Sequence, residues 1–251
     1  MTARRDHEVW SIVVAGGSGR RFGSAKQFEA LDAPDATLRV VDMAVAAAAQ
    51  MGPVVLVVPE SEVAEMAVDL ARGSVGDRTT VVAGGTSRTA SVRAGLEAVP
   101  ESATVICVHD AARPFATPAL FEAVIGAVID TVRDPAGDPV AAAVPGVAVT
   151  DTIKVIDGDS MVHSTPVRSS LVAVQTPQAF DAAVLREAHR LAAEAGHEGT
   201  DDASLVEWMA AERDAAVRVA VVAGETDNRK ITHRDDLDWA RRHWAQHHSG
   251  R

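Results

Sequence analysis

The stretch S-I-V-V-A-G-G-S-G-R-R-F-G-S-A-K-Q-F-E-A-L, Ser11 to Leu31, decides the fold class. Its apolar opening, Ile12-Val13-Val14, reads as a buried strand. Glycine then dominates at Gly16, Gly17, Gly19 and Gly23, and glycine permits sharp turns and close approach of a ligand to the main chain. Arg20, Arg21 and Lys26 sit in or just past this loop. Main-chain N–H groups beside fixed cations make an anion site, and a polyphosphate is the natural anion. No G-K-[S/T] closes the loop, so it is not a P-loop. Gly17 and Gly19 match a dinucleotide fingerprint, but Gly23 comes one place late and Glu60 lies far beyond the spacing of a ribose-binding acid. A purely structural glycine turn is the plain alternative for this loop taken alone.

The same strand–glycine–helix unit recurs downstream. Thr79 to Ala83 reads as a strand, Gly84-Gly85 breaks it, and a helix starts at Thr86 or Ser87. Gly84, Gly85 and Ser91 could meet a nucleotide at the carboxyl edge of an open α/β sheet; a purely structural turn is the equal alternative for this pattern taken alone. Thr104 to Val108 is another strand and runs into H-D-A-A-R-P-F, residues 109 to 115. Asp110 at that strand's end suits Mg²⁺, which takes one or two carboxylates plus phosphate oxygens. Arg113 can clamp a phosphate with two donors; a surface pair with Asp110 is the bland alternative. Further strands are expected at Val54–Val58, Val140–Val144 and Val217–Val222. Helices are expected over Leu38–Gln50, from a Ser61 cap through Ala71, and over Phe121–Val132, Asp181–Ala195 and Arg234–His247, with another capped near Asp201. Alternation of this kind is the signature of α/β architecture. Residues 134 to 139, D-P-A-G-D-P, read as a loop.

Composition sets bounds. A chain of 251 residues of this kind is read as one domain, 1–251. A net charge of −11 argues against nucleic acid and anionic lipid as partners, so a polyanionic ligand needs cations gathered in one cleft. No apolar run is long enough to span a membrane, and the polar N-terminus lacks a signal-peptide core, so a cytoplasmic location is expected. The lone Cys107 lies in an apolar run and reads as a small buried hydrophobe. Val147 to Val167 alternates without helical period around Asp157-Gly158-Asp159. It reads as a projecting β-hairpin arm, which is marginal alone and points to a homodimer.

Taken in order, the motifs are A-G-G-S-G-R-R-F-G…K-Q, A-G-G-x-x-R-x-x-S-V, H-D-A-A-R-P, D-T-I-K, R-x-x-L…Q-T-P-Q-x-F, T-D-D-A-S-L and N-R-K-I-T. Together they closely resemble the 2-C-methyl-D-erythritol 4-phosphate cytidylyltransferases of the non-mevalonate isoprenoid pathway, from about Trp10 to Leu237. The resemblance implies a Rossmann-like nucleotidyltransferase sheet, mostly parallel, with helices on both faces and the arm exchanged across a dimer. It implies attack of a polyol phosphate on the α-phosphorus of CTP with Mg²⁺ (or another divalent cation) as cofactor. Arg21 and Lys26 would stabilise the transition state on the triphosphate, and Arg168 and Lys230 would aim the attacking phosphate. Ala15, Gly16, Gly17 and Gly19 would line the phosphate loop. Gly84, Gly85, Thr86 and Ser91 would hold cytosine, with Ala111 near the ribose. Asp110 would sit beside the metal and substrate, and Arg113, Thr152 and Thr176 would complete the polyol phosphate contacts. Arg168 and Thr152 would serve the partner subunit. Ala25, where the family has proline, and Arg229, where it has an apolar residue, depart from the pattern. Gly16 and Pro166 lean toward the sister D-ribitol 5-phosphate cytidylyltransferases, whereas Ala112 and the intact T-D-D-A-S-L segment favour methylerythritol phosphate. A decayed, non-catalytic nucleotide-binding domain would have lost at least one of the cations or Asp110, and all are present. A nicotinamide-dependent oxidoreductase is disfavoured by the late third glycine and the cation-rich loop.

Overall fold

Every residue of β2 (Val54–Val58) is apolar and buried, which requires helices on both faces of its sheet. The computed structural model describes residues 7–16, 25–31, 38–72, 75–131 and 140–248. β2 lies between β1 (Val9–Val14) and β3 (Thr79–Ala83), and β1 pairs on its other side with β4 (Val105–Asp110), all in parallel. The sheet then continues through β9 (Gln178–Asp181) and β5 (Val140–Ala148) to β10 (Arg218–Ala223). β9 runs antiparallel to both its neighbours, while β10 is parallel to β5. A short strand, β8 (Val172–Val174), pairs antiparallel with the end of β5.

Successive side chains along a strand face opposite ways, and this alternation divides the core in two. Val13, Leu56 and Cys107 face α1 (Val40–Ala48), α2 (Val63–Ala71) and α4 (Pro118–Thr131), meeting Val45, Met66 and Phe121. Ile12, Val57 and Val108 face α3 (Arg88–Ala98), α5 (Ala182–Ala195) and α6 (Asp202–Glu212), meeting Val92, Leu185 and Leu205. A smaller cluster of Leu31, Val40, Ile231, Leu237 and Ala240 holds α7 (Arg234–His248). Gly196 closes α5 at φ 64, a left-handed conformation that costs glycine nothing.

Several boundaries differ from those read in the sequence. α2 begins at Val63, after a 3-10 turn over Glu60–Glu62 that follows Pro59. Ser61 is therefore not its cap, and its hydroxyl donates to Glu62 Oε1 instead. α4 begins at Pro118, where Thr117 Oγ1 accepts from Leu120 N at 3.2 Å; proline is pre-organised for a first helical position. β4 runs on to Asp110 because His109 and Asp110 keep register with Val13 and Val14. β5 extends to Ala148, so residues 147 and 148 belong to the main sheet. Beyond them, β6 (Val155–Ile156) and β7 (Val162–Ser164) pair antiparallel as a separate two-stranded ladder. Its turn is held by Asp157 Oδ1, which accepts from Asp159 N and Met161 N. Cys107 is fully buried, and burial raises its thiol pKa to about 12. The expected 134–139 loop lies outside the described residues.

Candidate active site

The carboxyl ends of the parallel strands share one edge, and Gly16 and Gly84 lie there. Ala15, just after β1, donates its N–H to Val57 O at 2.7 Å, and its carbonyl accepts from the buried Gln27 Nε2 at 2.6 Å. Gln27 thus fastens the 3-10 turn Lys26–Phe28 to the strand edge, with Lys26 at its first position. A Cβ on Gly16 would stand 3.2 Å from Ser91 Oγ, and one on Gly84 2.9 Å from the same atom. Ser91 Oγ accepts from Gly85 N at 3.2 Å and donates to Ser87 O at 2.8 Å. Gly16 and the Gly84-Gly85 pair therefore converge on one buried hydroxyl. Ala111 N donates to Val14 O at 3.0 Å and closes the gap toward β4, and Thr86 is exposed beside Gly85.

Next to this edge lies a cavity of about 230 Å³, whose lining includes Arg88, Asp110, Arg113, Thr176, Thr200 and Lys230. Asp110 Oδ2 accepts from Lys230 Nζ at 2.6 Å, and Oδ1 lies 3.4 Å from Arg88 Nε. Burial opposes ionisation of Asp110, but Arg88, Lys230 and Arg113 outweigh it and hold the carboxyl well below the usual carboxylate range. Arg88 Nη1 is also 2.7 Å from Asp202 Oδ2, a charge contact without hydrogen-bond alignment. Arg113 donates from Nη1 to Asn228 O at 2.7 Å, and its pKa is lowered by burial, with Asp110 pulling the other way. Asn228 Nδ2 donates to Thr176 O at 2.8 Å, and Gln175 Nε2 to Glu225 O at 2.8 Å. These bonds dock the segment after β10 onto the one before β9, and Ile231 N fixes its register on Ala112 O at 2.8 Å.

Beneath Asp110, His109 is fully buried. Its Nε2 is 3.1 Å from Arg113 O and its Nδ1 3.1 Å from Thr176 Oγ1. A carbonyl only accepts, so Nε2 carries the proton. Thr176 Oγ1 in turn accepts from Asp110 N at 3.0 Å, so its own proton is left for Nδ1. Burial is the main cause that lowers His109 to about 4 from 6.5. Between those values the unfolded chain binds a proton that the folded chain refuses, so stability falls as pH drops from 6.5 toward 4. The expected loss reaches about 3 kcal/mol across that window. His109→Gln, which keeps a donor toward Arg113 O, should flatten this part of a melting-temperature profile; an unchanged slope would exclude His109 as its source.

A family model described as "IspD: 2-C-methyl-D-erythritol 4-phosphate cytidylyltransferase" matches residues 9–244. The chain belongs to the IspD family. A relative from Nitratidesulfovibrio vulgaris, named bifunctional enzyme IspD/IspF, is 41% identical over 241 residues, covering 91% of this chain and 56% of its own length. The chain thus spans about half the length of such bifunctional relatives. A relative from Halalkalibacterium halodurans, named 2-C-methyl-D-erythritol 4-phosphate cytidylyltransferase, is 39% identical over 187 residues, 74% of this chain and 75% of that one. The crystal structure of 4-diphosphocytidyl-2C-methyl-D-erythritol synthase from Anaerococcus prevotii superposes with a TM-score of 0.80 at 26% identity, covering 97% and 98% of the two chains.

Of the residues expected to form the IspD site, Ala15, Gly16, Gly84, Gly85, Thr86, Ser91 and Ala111 line the strand edge, and Asp110, Arg113, Thr176 and Lys230 line the cavity. Gly17, Gly19 and Arg21 lie outside the described residues. Arg168 and Thr152 are not among the cavity's lining residues. Arg168 opens a 3-10 turn over Arg168–Ser170, donating to Thr150 O at 2.9 Å, and Thr152 is exposed. The Asp110–Arg113 surface pair is not formed; Arg88 and Lys230 take that carboxylate. Arg229 lies over the Trp239 ring, 4.6 Å from its centroid, so the departure at this position is accommodated by a cation–π contact. Arg88 and Asp202 are the centre's unanticipated members. Both stand inside quoted motifs, as the arginine of A-G-G-x-x-R and the second acid of T-D-D. Among the described residues no three His, Cys, Asp or Glu side chains gather for a metal. Asp110 and Asp201 are both among the cavity's lining residues, so a divalent cation brought with phosphate oxygens would find a carboxylate there.

Proposed function

We propose that this chain transfers CMP from CTP to 2-C-methyl-D-erythritol 4-phosphate, giving 4-diphosphocytidyl-2-C-methyl-D-erythritol and pyrophosphate. The observation that carries the reading is the meeting of Gly16 with Gly84 and Gly85 on Ser91, beside a cavity lined by Arg88, Asp110, Arg113 and Lys230. A phosphate oxygen of the polyol phosphate attacks the α-phosphorus of CTP. The bond from that phosphorus to the bridging oxygen breaks, and pyrophosphate leaves with the electron pair. Both reactants are anions, so positioning and fixed positive charge supply most of the rate. Gly84, Gly85, Thr86, Ser91 and Ala111 hold the nucleoside end, while Ala15, Gly16, Gly17 and Gly19 carry the phosphate loop. Arg21 and Lys26 meet the charge that develops on the triphosphate. Lys230 and Arg168 aim the attacking phosphate, with Arg113, Thr152 and Thr176 around the polyol. Asp110 holds Mg²⁺, whose charge offsets that of the phosphates when it is bound.

In this reading the chain is one domain, works in the cytoplasm beside the CTP pool, and is a homodimer. The arm supports the dimer, because it exposes Ile153, Val155, Ile156, Met161, Val162 and Val167, an apolar set that an isolated hairpin leaves in water. Arg168 and Thr152 then reach the partner's cavity. Subunit mixing tests this arrangement. Lys26→Ala and Arg168→Ala chains, each nearly inactive alone, are expected to recover about a quarter of full activity when mixed equally, because half the dimers carry one intact site. No recovery after verified exchange would place both residues in one subunit's site.

The substrate is tested by pyrophosphate release from CTP·Mg²⁺ with each polyol phosphate in turn. Faster turnover with 2-C-methyl-D-erythritol 4-phosphate is expected. A preference for D-ribitol 5-phosphate would overturn the assignment and favour the CDP-ribitol reaction instead.

A further inference from the structure

Asp110 has two cationic partners of unequal kind. Lys230 reaches it at 2.6 Å on a side chain that is 43% exposed. Arg88 approaches the other oxygen at 3.4 Å from the first turn of α3, and the same guanidinium lies 2.7 Å from Asp202 Oδ2. Asp202 has no solvent exposure, and its second oxygen is 2.9 Å from Nε2 of the buried His189. Contacts therefore run from α5 through α6 and α3 to the tip of β4. A guanidinium lying between two carboxylates keeps one when the other changes partner, whereas an ammonium on a flexible stem changes partner with little strain. When a substrate phosphate draws Lys230 away, Oδ2 of the buried Asp110 loses its partner; even with Mg²⁺ bound beside the carboxylate, Oδ1 would still need a donor, and Arg88 is the one that faces it.

Resting on the reaction proposed above, we infer that Arg88, anchored by Asp202, is the standing partner of Asp110 that releases Lys230 to the polyol phosphate. Arg88 acts through Asp110 and is a positioning residue. Without it, Lys230 is tied to Asp110, and the polyol phosphate loses a cation. The nucleotide contacts at Gly84, Gly85 and Ser91 do not depend on Lys230, so the loss falls on one substrate rather than on both.

The test compares Arg88→Lys, Arg88→Met and the double variant Arg88→Met/Asp202→Asn, which removes one charge of each sign. Thermal melting establishes folding, and the double variant carries the measurement if Arg88→Met alone does not fold. In that variant KM for 2-C-methyl-D-erythritol 4-phosphate is expected to rise tenfold or more, on the order expected for losing a charged hydrogen bond. KM for CTP should stay within about threefold of the parent, and Arg88→Lys should recover part of the loss. Equal losses for both substrates, kinetic constants all within about twofold of the parent, or a double variant that cannot fold would each overturn the inference. A parent chain that releases no pyrophosphate would sink the proposed reaction alone. Arg88 is then judged by calorimetric titration of the polyol phosphate in the presence of α,β-methylene-CTP: binding weakened in the double variant and partly restored in Arg88→Lys supports the role, and unchanged binding refutes it.

Discussion

Lys26→Ala is expected to lower turnover with CTP and 2-C-methyl-D-erythritol 4-phosphate by about 10²–10³, the scale on which a single charge-stabilising group acts in a preorganised site. The fold should tolerate the change. Lys26 is half-buried, and the residue that anchors its turn is its neighbour Gln27, which bonds Ala15 O at 2.6 Å. The backbone of the turn is also closed independently, by Phe28 N to Ala25 O at 2.9 Å. Removing the lysine head therefore takes away charge without unfastening the turn. In a chain of net charge −11, each cation at the nucleotide edge also offsets long-range repulsion of CTP. KM for CTP should accordingly rise as salt is lowered more in the variant than in the parent. Steady-state kinetics at two ionic strengths, with a melting curve alongside, measures both effects. A variant that melts like the parent and turns over at the parent's rate would remove Lys26 from the transition state.

The middle of the parallel half of the sheet was legible because β2 and β4 are buried on both faces. Val54–Val58 and Val105–Val108 are apolar runs bounded by glycine, proline or polar residues, a signal that survives without tertiary information. β9 escaped the reading. Its four residues, Gln178–Asp181, begin and end polar, yet they sit fully inside the sheet. Gln178 is satisfied there by side-chain bonds to Asp201 Oδ2 at 2.7 Å and from Ala203 N at 3.3 Å. Those partners lie over twenty residues away in the chain, and no local pattern announces them. β8 was missed for a different reason: all three of its residues are exposed, so it carries no burial signature. The candidate site divides along similar lines. Glycines and lone charges next to strand ends point to the edge by themselves, but charge pairing does not. Asp110 and Arg113 are three residues apart and suggest a local pair, whereas the actual partner Lys230 comes from a distant segment. The fold prefers it because Arg113 is already committed to the carbonyl of Asn228.

Asp110→Asn should give the largest catalytic loss, about 10³-fold in kcat or more, and the reason is charge rather than shape. The amide fills the same space and can still accept one hydrogen bond, but it cannot balance two cations or, in the proposed reaction, serve a metal as a carboxylate would. Removing one partner of a buried ion pair usually costs 3–5 kcal/mol, because the other charge is stranded. Here neither cation is fully stranded. Arg88 keeps Asp202, and Lys230 is partly exposed and can turn to solvent. The destabilisation is therefore expected nearer about 1–2 kcal/mol, which separates the variant's catalytic loss from unfolding. The pH dependence supplies a further check. The folded Asp110 carboxyl is held below its usual range, so its contribution to stability is complete above the unfolded value, about 3.9, and disappears as pH falls below it. Asp110→Asn removes this term, so parent and variant should converge in melting temperature as pH drops below about 4. A gap that stays constant down to strongly acid pH would mean that packing around Asp110, and not its charge between Arg88 and Lys230, holds the centre together.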